Sequence, residues 1–347
     1  MPLNNEIKEK ISFEVIKTLV TRFENFPEDA SSNRNAPFHK AFLNAFADKF
    51  EDKVSDIPFF ITLSSWLQGL NTTLGQTFFE NVAHILSKGE KREYTSRKLG
   101  NLQIARRQKD NVGDIITRLS NSANLPNLNS ENNLLFINDN NDLINALDFS
   151  ADVFIEDEEK ITALELKSVR PNSGEMRGEK QKILEGKAAL FREFPGKDIS
   201  FYIGFPFDPT SSESTSYDKT RFLGSIINMN KYFAQDETLI ASELWDYLSG
   251  EENTMEQILE IINIISTTEF LDKYQFITNK QNITNERYLS ILHEWLLFSE
   301  KRLIENNETI QQRILGDTRL TRIYNQNYFN NRGSYNFERY IVLNGII

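Results

Sequence analysis

Asp152, Glu165 and Lys167 have the types and spacing of a phosphoryl-chemistry site. Asp152 is a lone charge in Ser150-Ala151-Asp152-Val153-Phe154-Ile155, and Glu165 and Lys167 stand two apart in Leu164-Glu165-Leu166-Lys167. On a strand, that spacing puts Glu165 and Lys167 on one face with Ala163, and Leu164 and Leu166 on the other. Two carboxylates on neighbouring strands supply the hard oxygens that hold Mg²⁺, an ion that keeps waters and bridges to phosphate oxygens. A lysine beside them can orient the attacking water, favour hydroxide and stabilise the charge that grows on phosphorus. The bland reading of a Glu-x-Lys pair is a salt-bridged surface pair on a solvated sheet edge. Asp148 is a rival for the first carboxylate.

A hairpin is what brings Asp152 beside the pair. Residues 151–155 and 161–167 are short β-prone segments joined by an acidic, turn-like 156–160. A loop with Pro171 and Gly174 leads into an amphipathic helix from about 175 to 194, and 199–205 reads as another buried strand. Upstream, Ile7, Ile11, Val15, Leu19 and Phe23 recur every four residues, as do Phe38, Phe42, Phe46 and Phe50: stripes of core-facing helices. Pro58 interrupts before an apolar run to Leu70, and Asn71 or Thr72 can cap a further helix carrying Leu74, Phe78, Val82 and Leu86. Residues 121–133 and 208–219 read as loops, and helices are expected near 237–249, 254–266 and 285–305. The fold class expected is α/β (α+β), a mixed sheet flanked by helices. It divides into an N-terminal helical region (1–70), a core (71–250) and a mostly helical C-terminal region (251–347).

Composition narrows the metal and the partner. The 347 residues include no cysteine, which excludes thiolate zinc sites, iron–sulfur clusters and cysteine nucleophiles. His39, His84 and His293 are scattered, so carboxylates are the expected ligands, which favours magnesium, manganese or calcium. A polar start and the lack of a run of about 18 apolar residues argue against a signal peptide or membrane span, leaving the cytoplasm as the expected compartment. The net charge is −11, yet 88–109 carries +6, 167–197 carries +4 and 313–340 carries +3, leaving −24 elsewhere. Such asymmetry fits a basic cleft on an acidic exterior; each segment alone also fits a solvated helix.

The run Asp152-Val-Phe-Ile followed by Ala163-Leu-Glu165-Leu-Lys167-Ser resembles the nuclease core of type II restriction endonucleases of the PD-(D/E)xK superfamily. The continuation from Lys167 to Leu184, with its Pro171-Asn-Ser-Gly174 block before a Lys-rich helix, resembles in particular the TdeIII-like family. The resemblance covers roughly 74–265. It implies that Asp152 and Glu165 bind metal and that Lys167 is catalytic; Ala151 stands where the motif's proline would. It also implies a further Glu from a preceding helix, matched by Glu80. His84, one turn on, could join Glu80 in a metal face or be a buried, hydrogen-bonded histidine. Lys180, Gln181 and Lys182, with Arg106, Arg107 and Lys109, are candidates for backbone phosphates. The run 324–332, ending in Arg332, offers amides and a guanidinium suited to base edges. The activity implied is Mg²⁺-dependent hydrolysis of double-stranded DNA at a short site, GGNCC-like by resemblance, leaving 5′-phosphate ends. A homodimer matches a palindromic site, and a cognate DNA methyltransferase is the expected genetic partner. Other readings are a DNA-repair or junction-resolving nuclease, a non-catalytic DNA-binding protein, and an interaction module.

Overall fold

The computed structural model describes residues 2–28, 57–167 and 175–347. In chain order the helices are α1 (Asn5–Glu24), α2 (Ile57–Thr73), α3 (Phe79–Ser87), α4 (Arg106–Ser120), α5 (Leu128–Leu135), α6 (Glu175–Glu193), α7 (Lys219–Ser225), α8 (Met229–Tyr232), α9 (Ser242–Ser249), α10 (Thr254–Ile265), α11 (Phe270–Thr278), α12 (Glu286–Glu294), α13 (Phe298–Glu305), α14 (Asn307–Arg313), α15 (Thr318–Tyr324) and α16 (Phe337–Asn344). The strands are β1 (Glu90–Tyr94), β2 (Gln103–Ala105), β3 (Leu143–Asn145), β4 (Phe149–Glu156), β5 (Lys160–Leu166), β6 (Asp198–Phe205) and β7 (Thr238–Ile240). The chain divides into two compact units, one of Met1–Ile7 and Phe79–Glu260, the other of Lys8–Phe78 and Ile261–Ile347. Among the described residues no helix is long and apolar enough to cross a membrane.

The first unit is built on a mixed five-stranded sheet in the order β1-β4-β5-β6-β7. The expected hairpin forms: β4 and β5 pair antiparallel from Glu156↔Ile161 to Val153↔Leu164. β6 then pairs parallel to β5, with Glu165 beside Ile203, so the chain must cross over between them, and α6 does so. Gly186 lets α6 lie close to the sheet, since a Cβ there would meet the Phe201 ring at 3.0 Å. On the edge, β1 pairs with β4 through an irregularity: Glu90 faces Phe154 but Arg92 faces Ala151, so two steps of β1 span three of β4. This is a β-bulge at Asp152–Val153, a device that re-aims side chains and occurs often beside active sites.

Several elements depart from expectation. No cap interrupts the chain at Asn71 or Thr72, because the hydroxyls of Thr72 and Thr73 bond back to the carbonyls of Gln68 and Gly69 inside a continuing helix, and a π-helical turn (Leu74–Phe78) follows α2. The 121–133 loop ends early, since Asn127 caps α5 by accepting from the Ser130 N–H at 2.8 Å. The expected 237–249 helix begins at Ser242, after β7. The 285–305 helix is broken between α12 and α13 at Leu296, whose φ is +59°. The stripe of Phe38, Phe42, Phe46 and Phe50 lies outside the described residues.

Within the second unit, Phe13 of α1 stacks on Tyr335 with ring centres 4.0 Å apart. Both Glu9 oxygens cap Ser299 at the start of α13. Burial of Glu300 is tolerated because Arg339 and Tyr335 both donate to it.

Candidate active site

The bulge leaves Asp152 outside the regular ladder, and three contacts hold it. Its Oδ2 accepts the Leu166 N–H at 2.9 Å, taking the place of a backbone carbonyl just beyond the Val153–Leu164 pair. Its own carbonyl meets His84 Nε2 at 2.6 Å. Its Oδ1 lies 3.1 Å from Lys91 Nζ. The carboxylate is thereby fixed against the backbone that carries Glu165 and Lys167, as the spacing required. Asp148, in contrast, is exposed and accepts from Asn101.

Glu165 and Lys167 share a face, with Nζ 3.2 Å from Glu165 Oε1. The same ammonium lies 3.3 Å from Glu179 Oε1 on α6, a third carboxylate that no motif in the sequence singles out. Burial, and then the Asp152 charge, push the Glu165 carboxyl above its ordinary value, against the opposing pull of Lys167 and Lys182. For Lys167 burial is the largest influence and lowers it, but Glu165 and Glu179 together outweigh burial and the net shift is upward, so it stays an ammonium. Glu165 Oε2 is buried and accepts no hydrogen bond from a described residue.

On the other side of Asp152 stands Glu80, from α3. Lys91 Nζ, on the edge strand β1, lies 3.2 and 3.0 Å from its two oxygens. Burial raises the Glu80 carboxyl, the Lys91 hydrogen bond lowers it and Asp152 raises it again, for a net upward shift. Lys91 is a second residue that sequence reasoning missed. Its signal was the alternation of Glu90, Arg92 and Tyr94, hidden in a run of charge. His84 does not join Glu80 in a metal face; its Nε2 is committed to the Asp152 carbonyl.

These donors fit a hard divalent cation. Asp152 and Glu165 are side chains about nine-tenths buried, and Glu165 carries an orphaned oxygen and a carboxyl raised by burial and by the Asp152 charge. Among the described residues no three carboxylate or imidazole groups converge closely enough to enclose an ion. Two carboxylates completed by water and substrate oxygens are what the site can offer, which is how Mg²⁺ is commonly held.

The expected phosphate contacts separate into two kinds. Lys180 is a correction: it is fully buried, 2.5 Å from Glu131 and 2.7 Å from Glu237, and no phosphate can reach it. Lys187, two helical turns on, is buried on the same Glu237 at 3.4 Å. Gln181 is half-buried and donates to Glu185, while Lys109 is tied to that buried carboxylate at 2.6 Å. Lys182 lies 3.3 Å from Glu179, the same carboxylate that Lys167 pairs with. Arg106 is exposed and paired with Asp142; Arg107 and Arg332 are exposed. Asp148, Glu179 and Lys182 line an open groove of about 610 Å³.

Residues 3–266 match the family described as type II restriction endonuclease, HinfI. The chain is also 43% identical to the type II restriction enzyme MjaII of Methanocaldococcus jannaschii, over 98% of this chain and 96% of that one. The TdeIII-like resemblance and the matching family share the level of type II restriction enzyme.

Proposed function

Since the chain belongs to the HinfI family of type II restriction endonucleases, and so cleaves double-stranded DNA at specific sites, we propose that Asp152, Glu165 and Lys167 are its cleavage centre. The observation that carries this reading is the Asp152–Leu166 bond, which ties the first carboxylate to the strand bearing the other two groups. A repair or junction-resolving role, or DNA binding without cleavage, gives way to restriction.

Enzymes of this type use a divalent ion, and Mg²⁺ is the one proposed here, held by Asp152 and Glu165. When bound it supplies positive charge to the phosphate oxygens and a water of lowered pKa. Lys167, held between Glu165 and Glu179, keeps its proton and presents an N–H and a full charge where negative charge grows on the phosphate. His84 and Leu166 hold Asp152 so that no reorganisation is needed during the reaction. Lys182, Arg106 and Arg107 remain proposed phosphate contacts, and Arg332 a proposed reader of base edges. The products are 5′-phosphate and 3′-hydroxyl ends. A two-fold homodimer is proposed because cutting both strands of a palindrome matches protein symmetry to site symmetry, and a methyltransferase of the same specificity would protect host DNA. Digestion of phage and plasmid DNA with and without Mg²⁺ tests the assignment: discrete fragments that vanish in Glu165→Ala and Lys167→Ala support it, and undiminished cutting by either variant overturns it.

A further inference from the structure

Lys91 is the cation of the centre that the cleavage reaction does not use. Its ammonium is 3.0 and 3.2 Å from the Glu80 oxygens and 3.1 Å from Asp152 Oδ1. It therefore touches both a proposed metal ligand and the acidic residue of the preceding helix. Its side chain is 38% exposed, whereas those of Glu80 and Asp152 are 14% and 12% exposed. The carboxylates are thus fixed and the lysine is the movable partner: it stands on an edge strand, opposite the bulge, on a flexible four-carbon stem that can rotate into solvent.

We infer that Lys91 is a built-in counter-ion that occupies the cation position of the metal-free centre and must withdraw when a divalent ion binds Asp152. This rests on the proposed cleavage centre and adds a competition to it. An ammonium 3.1 Å from Asp152 Oδ1 repels a divalent ion drawn to the same oxygen, so metal binding is weakened by the fraction of molecules in which Lys91 is seated. While seated, Lys91 neutralises one of the two charges that would otherwise repel across the bulge.

The test is calorimetric titration of the metal-free full-length protein with Mn²⁺, without DNA, for wild type, Lys91→Met, Lys91→Gln and Asp152→Asn, together with thermal melts in EDTA and in Mn²⁺. Loss of the competing ammonium is expected to tighten Mn²⁺ binding by about tenfold in both Lys91 variants. Their melting temperature should fall in EDTA, where Glu80 and Asp152 face each other unneutralised, and recover more than wild type on adding Mn²⁺. Unchanged or weaker Mn²⁺ binding in Lys91→Gln, which keeps much of the length and the hydrogen-bonding capacity of the side chain, would overturn the inference even if Lys91→Met fails to fold. Asp152→Asn separates the two levels: if it binds Mn²⁺ as wild type does, the cleavage-centre reading itself has failed.

Discussion

Asparagine and alanine at position 152 should inactivate the enzyme alike but destabilise it unequally. Asp152 has two separable roles in the proposed centre: its Oδ2 satisfies the Leu166 N–H at 2.9 Å, and its charge would hold the metal. Asparagine keeps a carbonyl oxygen for the Leu166 N–H and loses only the charge. Alanine also strands that N–H inside the sheet, a loss of about 1–3 kcal/mol. The Lys91 contact hardly changes this difference, because both variants lose the same partly exposed pair and Lys91 keeps Glu80 at 3.0 Å. For a unit of this size roughly 2–4 °C accompanies each kcal/mol, so Asp152→Ala should melt roughly 2–12 °C below Asp152→Asn in EDTA. Cleavage should fall by at least about a hundredfold in both, the scale of losing a preorganised charge at the reacting centre. Initial rates of plasmid cleavage and thermal melts read the two effects. Near-wild-type cutting by Asp152→Asn refutes the chemical role, and equal melting temperatures refute the structural one.

Lys167→Ala should lower single-turnover cleavage by about 10²–10⁴-fold while leaving the fold intact, and a loss below tenfold would remove Lys167 from the centre. Glu237→Ala leaves Lys180 and Lys187 buried with less compensation, so chemical denaturation should show a loss of about 3–5 kcal/mol; a change under about 1 kcal/mol would mean the lysines find water. Because the Glu165 carboxyl is raised in the native state, the metal-free protein retains a proton that the unfolded chain has released from its ordinary value of 4.5 upward, and stability is lost as pH rises through that interval. The melting temperature of Glu165→Gln minus that of wild type, both in EDTA, should therefore grow from acid toward neutral pH, and a flat difference would contradict the shift.

The hairpin and its three polar residues were legible because a period-two pattern interrupted by single charges leaves the chain little choice: Leu164 and Leu166 demand one face buried, and Glu165 and Lys167 then share the other. The bulge was not legible, since it depends on how β1 pairs with β4, and β1 itself, Glu-Lys-Arg-Glu-Tyr, carries one fully buried side chain, Tyr94. That is why Lys91 went unnoticed. Lys180 failed for the opposite reason. Reading a lysine as exposed assumes that no carboxylate is waiting inside, but Glu131 and Glu237 arrive from segments 49 residues before and 57 residues after it. Glu179 was equally hidden, one helical turn before Ile183 on a helix whose placement over the sheet no local pattern discloses.

The two clusters of buried charge in this unit differ in their access to solvent. In the Lys180–Lys187 cluster both Glu237 oxygens are bonded, one to the two lysines and the other to Lys180 and the Ala234 N–H, and Glu131 Oε2 rests against Lys180 Nζ at 2.5 Å. Both Glu185 oxygens are likewise bonded, to Lys109 and Gln181 and to the Leu147 N–H. Glu131 Oε2 nevertheless accepts no hydrogen bond, and burial raises its carboxyl; with Lys180 and Lys187 sealed from solvent, no outside ion reaches this network. Around Asp152 there is also incomplete compensation, with a Glu165 oxygen that accepts no hydrogen bond and raised Glu80 and Glu165 carboxyls, but here the two nearest lysines sit on side chains with a path to solvent. Folding alone would select against incomplete compensation of this kind, because each orphaned buried oxygen costs about 1–3 kcal/mol. Where solvent has access, a ligand that is not part of the chain can complete it. In the proposed centre a divalent cation with the phosphate of a DNA strand would supply both the positive charge and the oxygens that this half of the sheet lacks, whereas the Lys180 cluster, sealed from solvent, admits neither.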